Sequence, residues 1–108
     1  ALENLLKQGL AVKQDWHALY FGFSEILRGF LEKEYRFGAL EMTVSEISRI
    51  LQHKAINNRG EVEDFLQFCD LVKFAKAEPD FSSTDTRIAW LKAYLQSFGK
   101  ANQGERSA

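Results

Sequence analysis

A single proline, Pro79, and a single cysteine, Cys69, set the first limits on this chain of 108 residues. One proline and seven glycines leave little material for many strands and tight turns. A helical reading follows. One cysteine cannot form an internal disulfide and rules out a cysteine-rich metal site. That usage suits a reducing compartment. No apolar run approaches the ~18 residues of a membrane span, and no signal peptide is expected from these residues. No block of Lys or Arg appears either. The formal net charge of −1 argues against general nucleic-acid binding, which needs a basic face to displace counterions. The chain begins at Ala1 without Met, so a segment upstream of it is expected.

Aromatic residues, by contrast, are plentiful: nine Phe, three Tyr and two Trp supply bulky core material. From about Gln14 to Tyr35, Trp16, Leu19, Tyr20, Phe23, Ile26, Leu27, Phe30 and Leu31 recur at spacings of three and four. This is one continuous apolar stripe on a long helix. Glu25 and Glu32 flank Arg28 along it, within reach of an intrahelical pair. Gly22 and Gly29 weaken the helix or let another one approach closely. Gly38 is expected to close it. Thr43-Val44-Ser45-Glu46 matches a capping box and opens a short helix to about Lys54. After the turn residues Asn57-Asn58-Arg59-Gly60, a third helix is expected over Glu61 to Ala77. It is apolar on two sides, with Val62, Phe65, Leu66, Cys69 and Val72 on one and Phe68, Leu71 and Phe74 on the other. A helix apolar on two sides is normally embedded among neighbours. Pro79 ends it. Ser82 or Ser83 then caps a last helix that carries Ile88, Leu91, Leu95 and Phe98 and stops at Gly99. The expected fold is all-α, a compact bundle of about four helices over residues 14–99. Residues 1–13 read as a linker or helical extension, and 100–108 as a disordered tail.

Candidate chemistry is sparse. His17 and His53 fall on different helices, with no carboxylate or second His at metal-ligand spacing. Cys69 faces inward beside Asp70, which discourages the thiolate. No nucleophile elbow or phosphate loop occurs. No enzyme activity, metal or cofactor is therefore expected. Asp70 and Lys73 carry more information. They either pair along one helix, or Asp70 meets Arg28 in a bidentate bond that fixes the packing register. In the second case Lys73 and Lys76 project beside Phe74 as a basic contact face, the expected partner-binding residues. The two consecutive helices from Thr43 to Ala77 suggest, as the alternative, a helix-turn-helix-like nucleic-acid-binding regulator. Its turn is too long, and Glu61, Glu63 and Asp64 would face phosphates with negative charge.

The series Tyr20…Phe23-Ser24-Glu25-Ile26-Leu27-Arg28-Gly29-Phe30-Leu31-Glu32, Thr43-x-x-Glu46 and Asp70-Leu71-Val72-Lys73-Phe74-Ala75-Lys76-Ala77-Glu78-Pro79 resembles a known pattern. It looks like the helical tail of BatD-type aerotolerance (oxygen-tolerance) proteins and their small membrane-anchored relatives. The resemblance covers about Trp16 to Pro79. Phe23, Phe30 and Val44 depart from the usual Leu, Tyr and Thr. The family implies a domain on the cytoplasmic face of the inner membrane, tethered through an upstream transmembrane helix. It also implies partners, a von Willebrand factor A-domain protein and a MoxR-type AAA+ ATPase. On that reading residues 1–13 are membrane-proximal, and the domain serves docking or assembly without catalysis.

Overall fold

A computed structural model describes residues 2–54, 56, 58–74 and 77–107, with side chains through residue 97. Among the described residues the structure is helical, with no strand. The chain divides into two units, residues 1–78 and residues 79–108.

In the first unit, α1 (Leu2–Lys7) leads through a turn with positive φ at Gly9 and Gln14 into α2 (Trp16–Tyr35). Asp15 caps α2 by accepting the Ala18 N–H at 3.3 Å. Leu19, Tyr20, Phe23, Leu27 and Leu31 form its buried stripe. The helix ends at Arg36, ahead of the expected stop at Gly38. Arg36 takes the left-handed conformation, φ 57°, and its N–H donates to the Glu32 carbonyl. The early turn brings the fully buried Ala39 into a short 3-10 helix, Ala39–Glu41, that the sequence did not announce.

Helix α3 (Val44–His53) opens on the expected capping box. Glu46 N–H donates to Thr43 Oγ1 at 3.2 Å, and Thr43 N–H donates to Glu46 Oε1 at 2.9 Å. The backbone N–H of Thr43, and then its hydroxyl, hold the Glu46 carboxyl below its ordinary range. Helix α4 (Arg59–Phe74) starts two residues ahead of the expected Glu61. Val62, Phe65, Leu66, Cys69 and Val72 are buried along it. Its second apolar side is not embedded as expected. Phe68 is half-buried against Tyr20, while Leu71 and Phe74 are exposed.

Aromatic edges join α2 to α4. Tyr20 meets Phe23 at 5.0 Å and Phe68 at 5.5 Å between ring centroids, and Phe23 meets Phe65 at 6.0 Å. Helix α3 packs on α4, and α1 packs on α2. The α1 contact depends on Gly22, where an added Cβ would lie 2.6 Å from Leu5 Cδ2. A Cβ at Gly29 would meet nothing described within 4 Å, so of the two glycines only Gly22 permits a close approach.

The second unit is α5 (Phe81–Ser107). Asp80, rather than Ser82 or Ser83, caps it. The Ser83 N–H donates to Asp80 Oδ1 at 2.7 Å, a bond that also holds the Asp80 carboxyl below its ordinary range. The carboxylate reaches the helix's third N–H from outside the first turn, so the helix begins right after Asp80. Trp90 stacks on Tyr94 at 5.0 Å. The backbone of α5 continues through Gly99 to Ser107, past the expected stop and along the expected tail. Among the described residues, no helix is long and apolar enough to cross a membrane.

Candidate functional site

The most connected polar cluster lies where α2 faces α4, and Arg28 is its centre. Position 28 falls on the buried side of α2, so its guanidinium must find partners within the protein. Its Nε donates to Ser24 Oγ, one helical turn earlier, at 2.9 Å. Its Nη1 donates to the Met42 carbonyl, just ahead of the α3 cap. Its Nη2 stands 3.8 Å from Asp70 Oδ1 on α4. One side chain therefore ties together α2, the entry to α3, and α4.

This differs from a bidentate Arg–Asp fork. The guanidinium is divided among three partners, and the Asp70 contact is longer than a hydrogen bond. The pairing of Arg28 with Glu25 or Glu32 on the helix surface is not formed either, because Arg28 turns inward. Glu32 instead accepts the Leu40 N–H at 3.3 Å and holds the 3-10 segment.

Asp70 stands between two cations. Lys73 Nζ is 3.9 Å from the same Oδ1, one turn further along α4. Lys73 does not project as a basic finger: its side chain is only 12% exposed. The ammonium lies 5.1 Å from the ring centroids of both Phe21 and Phe74. Such cation–π contacts contribute about 0.5–2 kcal/mol each, depending on desolvation. The rings themselves face outward. Phe74 is 76% exposed, Leu71 50% and Phe21 46%. Two outward rings thus flank a largely covered lysine side chain. Lys76, the other expected contact residue, lies outside the described residues.

Two members of the cluster escaped sequence reading. Ser24 was legible only as a polar residue four positions ahead of Arg28, on the same face. Phe21 was legible as an aromatic lying off the α2 stripe. Elsewhere, His17 is exposed in the first turn of α2. His53 is exposed at the end of α3, where it lines a shallow groove with Arg49, Ile50 and Lys54. Among the described residues no three of His, Cys, Asp or Glu are grouped to hold a metal ion.

Comparison of the chain with protein-family models, with curated proteins and with solved structures finds no match.

Proposed function

We propose that this chain is a docking or assembly domain of the kind found on the cytoplasmic side of BatD-type aerotolerance proteins. The observation that carries this reading is the outward pair of rings, Phe21 and Phe74, that share the Lys73 ammonium. Isolated apolar residues on a surface are ordinary, but two exposed rings from different helices that share one held cation mark a contact site. Arg28 supports the same reading. It braces α2 against α4, the two helices that carry the face, so the face is presented on rigid elements. Most of these residues come from two of the three sequence segments that resemble the aerotolerance family. The resemblance supplies the partners, a von Willebrand factor A-domain protein and a MoxR-type AAA+ ATPase. It also supplies the membrane tether, through a segment upstream of this chain. No catalytic step is assigned to the domain.

The test is capture of these two proteins from native extract on the immobilised chain, with bound proteins identified by mass. Wild type should retain one of them, and a Phe74→Ser, Lys73→Glu variant should lose it. Equal retention by both forms, or retention of neither protein, would overturn the reading.

A further inference from the structure

The chemistry of the partner segment can be read from how Lys73 is held. Its ammonium carries three N–H donors, yet it donates no hydrogen bond to any described residue. Asp70 Oδ1 is 3.9 Å away, beyond hydrogen-bond distance, and the rings of Phe21 and Phe74 lie 5.1 Å from the charge. The cluster sets two cations, Arg28 and Lys73, against the single Asp70 carboxylate. One positive charge is left over. It lies against two apolar rings, and covering them lowers the local dielectric and strengthens any new ionic contact. An ammonium held in place by its own helix and two rings, with donors that no described residue takes, is set to receive an acceptor brought by the partner.

We infer that this face takes an acidic segment of a protein partner: a Glu or Asp carboxylate hydrogen-bonds Lys73, while adjoining apolar side chains cover Phe21 and Phe74. The inference rests on the docking reading and adds the chemistry of the occupant. A second copy of this chain fits poorly, because its matching face brings the same surplus positive charge. A lipid surface fits poorly as well. Membrane-surface lysines extend their ammonium outward to the headgroups, whereas Lys73 is folded against two rings.

The experiment uses the isotope-labelled whole chain and two synthetic amphipathic peptides of about 16 residues, long enough to support a helix. One carries a single Glu in the middle of its Leu face; its twin carries Gln there. The Glu peptide should shift the backbone amides of Phe21 and of Leu71 through Phe74. It should bind about fivefold more tightly than the Gln twin, a ratio typical of one partly exposed charge pair. Raising salt to about 0.5 M should shrink that ratio. Lys73→Met should abolish it, and Lys73→Arg should keep most of it. Equal affinity of both peptides at the same amides would overturn the carboxylate and leave the docking face standing. No shift at these amides with either peptide would overturn the face itself. Sedimentation with phosphatidylglycerol–phosphatidylcholine vesicles, lost on Phe74→Ser, would assign the face to lipid and overturn the inference.

Discussion

Arg28 Nη2 and Asp70 Oδ1 stand 3.8 Å apart, a charge contact rather than a hydrogen bond, while the rest of the guanidinium is bonded to Ser24 and the Met42 carbonyl. The two residues are therefore unequal in what they hold. Arg28→Ala removes three contacts at a buried position and should destabilise the domain by about 3 kcal/mol. Asp70, a third exposed, loses in Asp70→Asn its charge contacts to Arg28 and Lys73, neither of them a hydrogen bond, which should cost about 1 kcal/mol. Urea unfolding of both variants checks the order. Equal losses would mean that the ion pair, not the Ser24 and Met42 bonds, carries the energy.

The two glycines of α2 should respond in opposite ways. Gly29→Ala meets open space and should stabilise by up to about 1 kcal/mol through helix propensity alone. Gly22→Leu would collide with the Leu5 side chain and should dislodge α1, so that proteolysis in residues 8–14 accelerates. Thermal unfolding and limited proteolysis of the two variants separate these effects.

Stability should fall on the acid side partly through Glu46 and Asp80. Both carboxyls are held below their ordinary range in the folded chain, chiefly by backbone N–H groups, from Thr43 and Ser83 respectively. A lowered folded pKa gives stability that is complete above the unfolded pKa and is lost as pH falls through the folded one. The affected window lies below about pH 4.5. Glu46→Gln with Asp80→Asn keeps both caps but removes the titration. The double variant should melt somewhat below wild type near neutrality, converge with it at about pH 3, and so show a shallower loss of melting temperature between about pH 5 and 3.

Phe74 and Phe23 differ in what they contribute. Phe74→Ser, at a 76% exposed position, should cost only the exposed cation–π contact to Lys73, about 0.5–1 kcal/mol. Phe23→Ala, fully buried against Tyr20 and Phe65, should cost about 3–5 kcal/mol. Chemical denaturation of both tests whether the outward face is kept for something other than folding.

The helices were legible wherever local chemistry decides them. The α2 stripe and the Thr43–Glu46 box depend on spacings within one element, and both appear in the structure. The misreadings lie where distant contacts decide. Arg36 ends α2 early in an unfavoured conformation, a turn that seats the buried Ala39. Arg28 had surface carboxylates available but turned inward to Ser24, Met42 and Asp70. The apolar second side of α4 looked like core because periodicity reports which residues share a face, not whether anything covers it. Lys73 looked like a projecting charge because its sequence neighbourhood does not contain Phe21, 52 positions away on α2.

The aromatic seam between α2 and α4 also orders the events of folding. Helix α1 packs on α2 and α3 packs on α4, so each rests on one half of the seam. The seam joins residues more than 40 positions apart, and closing that loop is the largest entropic step. A nucleus built on Tyr20, Phe23, Phe65 and Phe68 would place that step in the transition state. Truncations there should then slow refolding, whereas Ile47→Val on α3 and Leu5→Ala on α1 should mainly quicken unfolding, as separate arms of a chevron plot would register.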